Sequence, residues 1–342
     1  MILPLDPCAI CTNATLYSKM TQPSEQIPVI DYAALITAGN RSTQLGAIDR
    51  ACRDHGFFLI ENHGLEEQFD DVWQVTQSFF ALPRERKRAI LRTFENPMGY
   101  FDRELTKQKR DQKEIFDFDN EWSKGSQTRS LNQWPDGQRD FYVALKEYFI
   151  SCTRVAHELV RAVLRAASES IQIADELFGE DHTSFMRLNY DPFFDPLPSK
   201  ERDDATKLGS MALHHHTDAG GLTVLLQDQV GGLQTLSNSG WIDVEPHENT
   251  LVINIGDMIQ VFTNDIYKAA THRVLPVASS KSRYSLPLFY NPSPNANIRP
   301  LPKSAAAGPI YRPFNWRDFR KARADGDFAD YGKEIQISEF KR

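Results

Sequence analysis

The sequence has few cysteines, and their placement argues against redox or zinc chemistry. Only four cysteines occur in 342 residues. Cys8 and Cys11 form a C-x-x-C, but no predicted strand precedes this motif and no second pair follows it, so neither role is expected. Cys52 and Cys152 fall within helical patterns and are predicted to be buried thiols.

The sequence also lacks long apolar runs, a basic start and an excess of positive charge. No apolar run approaches the length of a membrane span, so no membrane association is expected. The opening segment MILPLDPCAICTNA has no basic residue and carries Asp6, unlike a secretory signal, so we expect a cytoplasmic protein. The formal net charge is −7, which argues against a nucleic-acid partner.

The pattern of apolar residues changes near residue 180 and predicts an α+β protein. We expect a flexible tail at residues 1–26, followed by one domain at 27–342. Within this domain, a mainly helical part at 27–180 precedes a strand-rich part at 181–300. A C-terminal helix and tail occupy 301–342.

The clearest helical pattern lies at residues 138–167, where apolar residues step by three or four positions. Short apolar runs separated by Gly, Pro and Asn follow in the second half, as in a β-sandwich or barrel. Two of these runs, at 251–255 and 258–262, flank Gly256-Asp257. This dipeptide is predicted to be a hairpin turn.

Two histidines and one aspartate form the most informative set of polar residues. His216 and Asp218 are spaced i, i+2, so both side chains point to the same face of a strand. His272 must come from another strand that lies alongside. Two histidines and a carboxylate are the ligand set that holds iron(II) on one face and leaves other positions open. A lone H-x-D triplet would be a weak signal, and the prediction rests on the ordered set.

An arginine and a serine follow the second histidine with the same spacing. Arg283 and Ser285 are related as i and i+2. A guanidinium offers a planar fork that matches a carboxylate, and a neighbouring hydroxyl donates a further hydrogen bond. Together with the metal ligands, this pair predicts an oxygen-activating iron enzyme that anchors an organic acid.

Many segments of the chain resemble one known family, in the same order along the sequence. The first half contains IPVID, ACRDHGFFLIENHG and GYFDRELTKQKRDQKEIFDF. The second half contains RLNYDPF, HTDAGGLTVLLQD, GGLQ, LVINIGDMIQVFTN, HRV and RYSLPLFYNP. The chain is similar to the 2-oxoglutarate- and iron(II)-dependent oxygenases, in the branch that includes isopenicillin N synthase. The likeness covers most of residues 27–292.

The resemblance implies a double-stranded β-helix (jelly-roll) core buttressed by helices, mainly from the N-terminal half. The implied reaction uses O2 and 2-oxoglutarate to oxidise a small, partly apolar metabolite, as in secondary metabolism, and releases succinate and CO2. Hydroxylation is the expected outcome, desaturation and ring closure stay open, and ascorbate is expected to help in vitro. The chain is expected to act as a monomer. The resemblance assigns catalysis and iron binding to His216, Asp218 and His272, and cosubstrate binding to Arg283, Ser285 and Asn189.

One position departs from the family pattern. Many relatives have N-Y-Y-P where this chain has NYDP at residues 189–192, and the second tyrosine helps to hold the cosubstrate. Asp191 cannot replace a phenol, and it would repel a carboxylate that it faced. Either its side chain turns away, or the cosubstrate relies more on Arg283, Ser285 and another donor.

Three alternatives stay open. The first is an oxidase that does without 2-oxoglutarate, as isopenicillin N synthase does, because such enzymes also keep an Arg-x-Ser. The second is a non-catalytic jelly-roll binding protein, which gives no reason for all three ligands. The third is the H-x-H metal site of cupins, raised by His214 and disfavoured because no suitable glutamate follows soon after.

The substrate is not identified by the sequence. Six aromatic residues lie in regions that line the substrate pocket in relatives, although each is equally consistent with an ordinary core residue. These residues are Phe116, Phe118, Trp122, Phe314, Trp316 and Phe319.

Overall fold

The computed structural model describes residues 26–37, 39, 41–106, 109–122, 131–237, 239–277, 281–327 and 335–342, without the side chains of 324–327. The tail predicted at 1–26, with Cys8 and Cys11, thus lies outside the described residues except for Gln26. Cys52 and Cys152 are free, buried thiols, as predicted. None of the helices in these ranges has the length and apolar character needed to span a bilayer.

The helices concentrate in the first half of the chain, as predicted. The α-helices are α1 (Tyr32–Ile36), α2 (Arg41–Asp54), α3 (Phe69–Phe80), α4 (Arg84–Arg88), α5 (Arg139–Ala166), α6 (Gln172–Leu177), α7 (Ser199–Arg202), α8 (Asp257–Phe262) and α9 (Trp316–Asp327). Short 3-10 helices lie at Glu66–Gln68 and Ile337–Phe340.

The strands concentrate in the second half. They are β1 (Val29–Asp31), β2 (Phe57–Glu61), β3 (Gly99–Phe101), β4 (Leu105–Thr106), β5 (Lys109–Arg110), β6 (Glu114–Asp119), β7 (Phe185–Asp191), β8 (Leu213–His216), β9 (Leu222–Gln227), β10 (Leu233–Ser237), β11 (Gly240–Asp243), β12 (Leu251–Ile255), β13 (His272–Val274), β14 (Arg283–Tyr290), β15 (Asn297–Ile298) and β16 (Phe314–Asn315).

Two sheets form the predicted jelly-roll core. The larger sheet has the order β1-β2-β12-β9-β14-β7-β6-β3, and the smaller has the order β11-β10-β13-β8. Residues of both sheets line one open cavity of about 1320 Å³. Because successive side chains of a strand point to opposite faces, each strand beside the cavity contributes to two environments.

Strand β14 shows this division. Ser285 and Pro287 line the cavity, whereas Leu286 and Leu288 are fully buried in the core on the opposite face. Helix α5 belongs to the same core and packs against α2, α3 and β14. Each fully buried Leu or Val stabilises the fold by about 1.5–3 kcal/mol. Helix α5, with α2 and α3, thus supports the sheet from the side away from the cavity.

The predicted hairpin turn at Gly256-Asp257 is wrong, because residues 257–262 form helix α8. Its apolar residues are spaced i, i+1, i+3 and i+4, which suits one face of a helix. The backbone N–H groups of Asp257 and Met258 donate to the carbonyl oxygens of Asp218 and Gly220. A Cβ at Gly256 would lie 2.4 Å from the Gly220 carbonyl oxygen, so this contact requires glycine. The helix start thereby supports the loop that carries Asp218.

Candidate active site

Three potential metal ligands converge from two neighbouring strands. His216 ends β8 and His272 begins β13, and the two residues pair across the antiparallel ladder. Asp218 lies two residues after His216, just beyond the end of the strand rather than within it. One atom from each side chain lies within 4.8 Å of the others, and within the described ranges they form the one such cluster of His, Cys, Asp or Glu.

The imidazole atoms that face away from this cluster are already hydrogen-bonded. His216 Nδ1 lies 2.8 Å from the carbonyl oxygen of His214, and His272 Nδ1 lies 3.0 Å from that of Ala270. Because a carbonyl oxygen only accepts, each Nδ1 carries the proton and each Nε2 keeps a free lone pair. Two imidazole nitrogens are thus oriented for a metal ion.

The carboxylate of Asp218 is oriented in the same way. Its Oδ2 accepts hydrogen bonds from Thr223 Oγ1 at 2.5 Å and from Asn254 Nδ2 at 2.8 Å. Its Oδ1 lies 3.6 Å from His216 Nε2 and 3.8 Å from His272 Nε2. The available donors are therefore two imidazole nitrogens and one carboxylate oxygen, a set that fits Fe(II).

The protonation states also suit metal binding. Burial disfavours the charged form of His272 and, together with the nearby His216, lowers the pKa of His272 to about 4. Burial acts against ionisation of Asp218, but the charges of His272 and His216 outweigh it and hold the pKa of Asp218 well below its usual range. At neutral pH, His272 is thus a neutral donor and Asp218 is an anion, as coordination requires.

The three residues expected to bind a cosubstrate also lie together on the cavity side of the large sheet. Ser285 pairs with Asn189 between β14 and β7. Ser285 Oγ accepts hydrogen bonds from Asn189 Nδ2 at 3.3 Å and from Arg283 Nη1 at 3.1 Å. Arg283 Nε is buried without a hydrogen-bond partner in the described structure. A buried N–H without a partner is costly, so this guanidinium fits a further acceptor such as a carboxylate.

Comparison with known proteins relates most of the chain to one family of enzymes. Residues 182–292 match the 2OG-Fe(II) oxygenase superfamily, and residues 27–137 match the non-haem dioxygenase in morphine synthesis N-terminal model. The chain is 34% identical over 309 residues to 1-aminocyclopropane-1-carboxylate oxidase from Musa acuminata, covering 86% of this chain and 92% of the relative. The chain belongs to the 2OG-Fe(II) oxygenase superfamily.

Two further relatives agree with this membership. Jasmonate-induced oxygenase 2 from Arabidopsis thaliana is 31% identical over 308 residues, with 86% of this chain and 78% of the relative covered. The solved structure of a Neurospora crassa protein in complex with alpha-KG and thymine has a TM-score of 0.73 at 27% identity, covering 85% of this chain and 94% of the Neurospora chain. As a 2OG-Fe(II) oxygenase, the protein is an oxidoreductase that uses Fe(II), O2 and 2-oxoglutarate to oxidise a small molecule.

In this oxygenase, Asp191 faces the arginine that is expected to anchor 2-oxoglutarate. Asp191 pairs with Arg283 across β7 and β14, and its Oδ2 lies 2.9 Å from Arg283 Nη1. Both side chains are buried. Burial raises the pKa of Asp191, and Arg283 and Lys113 act against this rise. The sequence left two possibilities: that the Asp191 side chain turns away from the cosubstrate site, or that the cosubstrate relies on other donors. The structure does not show a side chain that turns away.

Lys113 is a second buried cation beside Asp191. It directly precedes β6, whose Glu114 pairs with Tyr190, so the antiparallel register places Lys113 opposite Asp191. Its Nζ lies 3.3 Å from Asp111 Oδ2. Lys113 lines the same cavity as Arg283 and is a candidate for the further donor that the sequence left unidentified.

His214 is separated from the metal cluster. Its Nδ1 lies 3.3 Å from Asp111 Oδ1, and the His214 ring packs beside Gly209, where a Cβ would lie 2.3 Å from His214 Cε1. His214 is not among the residues that line the cavity. The H-x-H arrangement of a cupin site is therefore absent from the described structure, although the sequence spacing permitted it.

The aromatic residues that line the cavity differ from most of those considered from the sequence. Trp316 lines it, but Phe116, Phe118 and Phe319 are buried in the hydrophobic core. Trp122 and Phe314 pack against that core instead. The cavity is lined by Phe185 and Phe289, which sequence reasoning missed. Alternation along β7 and β14 from Asn189 and Ser285 was the signal that could have found them.

Proposed function

We propose that this protein is a 2-oxoglutarate-dependent oxygenase in which His216, Asp218 and His272 hold Fe(II). Arg283 and Ser285 bind the distal carboxylate of 2-oxoglutarate, with Asn189 beside them. The convergence of three oriented ligand atoms within 4.8 Å carries this proposal. The guanidinium of Arg283, with its buried Nε, lines the same cavity and supports it.

Bound Fe(II) supplies the oxidising chemistry, in which O2 and 2-oxoglutarate give succinate and CO2 while a C–H bond of the substrate is oxidised. The protein positions the reactants. Thr223 and Asn254 fix the rotamer of Asp218 through its Oδ2. The carbonyl oxygens of His214 and Ala270 fix the two imidazole rings.

In this scheme, the cosubstrate must compete with Asp191 for Arg283. Removing a partner from a buried carboxylate is costly unless another cation replaces it. Lys113 lies opposite Asp191 on the other side from Arg283 and attracts it electrostatically. Asp191 therefore exchanges Arg283 for Lys113 when the distal carboxylate binds. The two cations and Asp191 together do what a tyrosine does in many relatives.

The sheet supports treating residues 27–342 as one oxygenase domain, because β1, β2, β3 and β6 from the first half join β7, β9, β12 and β14 from the second. The narrower divisions of this domain, a monomeric state and a cytoplasmic location stay predictions.

The direct test is a mass-spectrometric screen of a metabolite library with iron, 2-oxoglutarate and ascorbate. We expect at least one metabolite to be oxidised with matched formation of succinate, and no turnover when 2-oxoglutarate is omitted. Robust oxygen uptake without 2-oxoglutarate would instead indicate an oxidase that does not use this cosubstrate. The observation that favours this alternative is the Arg283–Asp191 pair, in which an internal carboxylate already occupies the arginine. Failure of the purified protein to bind iron would indicate a non-catalytic binding protein.

A further inference from the structure

The cavity has a second end, remote from the cosubstrate residues. On β14, Ser285 and Phe289 both face the cavity and are four residues apart, or about 13 Å along a strand. On β7, Phe185 pairs with Phe289 in the same way that Asp191 pairs with Arg283. The two ends of this strand pair therefore carry different chemistry on one cavity wall.

The wall at this second end is aromatic. The rings of Phe185 and Phe289 are stacked, with centroids 4.7 Å apart and an angle of 26° between their planes. Both residues are only half-buried although they lie on central strands of the large sheet, because they face the cavity. Two stacked rings offer an apolar surface for a flat or cyclic organic group.

A cation stands beside this wall. Arg320 lies on helix α9, lines the cavity, and places its guanidinium carbon 5.7 Å from the centroid of the Phe185 ring. Within the described part of the chain, its guanidinium forms no hydrogen bond or ion pair. Burial lowers the pKa of Arg320, and the charge of Asp119 only partly offsets this effect. A charged group in this setting lacks the partner that burial demands.

The neighbouring arginines of the cavity do have partners. Arg92 and Arg187 both bind Glu104, at 2.5 Å and 3.0 Å, and Arg323 donates to the carbonyl oxygen of Thr217 at 3.1 Å. The charge that acts on Arg320 is that of Asp119, whose Oδ1 is buried without a hydrogen-bond partner in the described structure. Compared with these three arginines, Arg320 is thus the one whose hydrogen-bonding capacity is open to a ligand at this end of the cavity.

We propose that the oxidised substrate is a small organic monocarboxylate whose carboxylate binds Arg320 and whose apolar body packs on Phe185 and Phe289. A guanidinium matches a carboxylate with two parallel hydrogen bonds. One open cation beside Asp119 suits a single negative charge better than a phosphate dianion, which Asp119 would repel. This inference rests on the proposed function, because it places the substrate in the cavity that contains the iron and cosubstrate residues.

The test is calorimetric binding to protein loaded with Mn(II) and 2-oxoglutarate, so that no turnover occurs. The probes are 3-phenylpropionate, 4-phenylbutyrate and cyclohexanepropionate, each compared with its primary amide. The amide keeps the shape and loses the charge. We expect at least one acid to bind about tenfold more tightly than its amide, the difference that one charge-assisted contact provides.

Variants assign this preference to one residue. In Arg320→Gln, we expect the preference for acid over amide to disappear, and in Arg320→Lys to be intermediate, because lysine keeps the charge without the fork. Arg154→Gln is the matched control, since Arg154 is exposed on helix α5 and does not line the cavity. It should retain the full preference.

Two outcomes would overturn the inference: no acid in the panel binds better than its amide, or the preference survives in Arg320→Gln. Binding of 2-oxoglutarate to the same proteins separates other causes of failure. If the wild-type protein does not bind 2-oxoglutarate, the proposed function is wrong. If only Arg320→Gln loses that binding, the substitution has disturbed the fold, and Arg320→Lys then decides the question.

Discussion

The two ends of the cavity each present an arginine, but the arginines differ in what faces them. Arg283 at the cosubstrate end is buried against Asp191, with a Nη1–Oδ2 distance of 2.9 Å. Arg320 at the other end lies beside an aromatic ring, and no hydrogen-bonded carboxylate faces it in the described structure. One cation is therefore already neutralised, whereas the other is not.

Because of this difference, the two ends of one cavity can select different anionic ligands. A ligand for Arg283 must displace an internal carboxylate, so binding there depends on the balance between two competing anions. A ligand for Arg320 displaces no hydrogen-bonded carboxylate, although it must approach the charge of Asp119. Between the two ends lie Glu104, Asp117, Arg92 and Arg187, which neutralise one another and separate the two binding regions.

The largest expected effect comes from removing a ligand of the metal site, on which binding at both ends of the cavity depends for catalysis. Asp218→Ala should abolish iron binding and turnover while the protein stays folded, because two imidazoles alone hold Fe(II) weakly. Metal analysis and circular dichroism are the measurements. His214→Ala is the control and should retain iron, since His214 contacts Asp111 rather than the cluster. Iron retained by Asp218→Ala, or lost from His214→Ala, would show that the ligands are misassigned.

The next effect distinguishes the two arginines. Arg283→Ala should weaken 2-oxoglutarate binding by about 10- to 100-fold, equivalent to about 1.5–3 kcal/mol for a charge-assisted bond. Arg283→Lys should be intermediate. Arg320→Gln should leave the affinity for 2-oxoglutarate unchanged, because it lies at the other end. Isothermal titration calorimetry measures all three, and equal loss in both arginine variants would contradict the separation of the ends.

The charged residues between the two ends, Glu104, Asp117, Arg92 and Arg187, should make the free energy of unfolding depend on pH. Burial opposes ionisation of Glu104, but the charges of Arg92, Arg187 and Lys113 outweigh it and lower its pKa to about 2. A lowered pKa in the folded state gives stability that is complete above the ordinary pKa of about 4.5 and is lost as the pH falls towards 2. Between pH 5 and pH 3, wild type should lose about 2 kcal/mol more than Glu104→Gln. Urea unfolding at the two pH values is the measurement.

The control for that experiment is Glu85→Gln, since Glu85 is exposed on helix α4. It should follow wild type at both pH values. If wild type and Glu104→Gln lose the same stability, Glu104 is not held ionised by its arginines.

The smallest expected effect comes from removing Asp191, which leaves Arg283 without a paired carboxylate, as Arg320 is. Asp191→Asn removes the internal competitor at Arg283 and should tighten 2-oxoglutarate binding by about 3- to 10-fold. Asp191→Tyr should act in the same direction, and Lys113→Met in the opposite one, because Asp191 then lacks a second partner. 2-Oxovalerate has no distal carboxylate and should be insensitive to all three changes. An Asp191→Asn variant that binds 2-oxoglutarate more weakly would refute the competition.

The metal cluster was predictable because its ligands can be recognised by their residue types and their order along the chain. The spacing of His216 and Asp218 and the later His272 needed only the chemistry of the ligand set, and the structure brings these side chains together. Arg283 and Ser285 stood out by their spacing and chemistry, whereas Asn189 came only from the family resemblance; the structure places the three side chains together. The helix–strand division and the jelly roll followed from periodicity and the family resemblance.

The features that the sequence did not predict depend on contacts between distant segments of the chain. Residues 258–262 have the composition of a strand, but tertiary hydrogen bonds to the Asp218 loop start a helix there. Lys113 and Arg320 are ordinary basic residues in the sequence, and only the register of β6 and the position of α9 bring them to the cavity. The pairing of Asp191 with Arg283 is likewise a cross-strand contact over 92 residues.

Helix α9 connects the proposed substrate site with the loop that carries the metal ligands. Arg320 and Arg323 lie one turn apart on it, the first facing the cavity and the second bonded to the carbonyl oxygen of Thr217, between His216 and Asp218. We expect a ligand that restrains Arg320 to restrain, through this helix, the backbone between His216 and Asp218 as well. If it does, thermodynamic linkage requires reciprocity: substrate tightens the binding of iron by the same factor as iron tightens the binding of substrate.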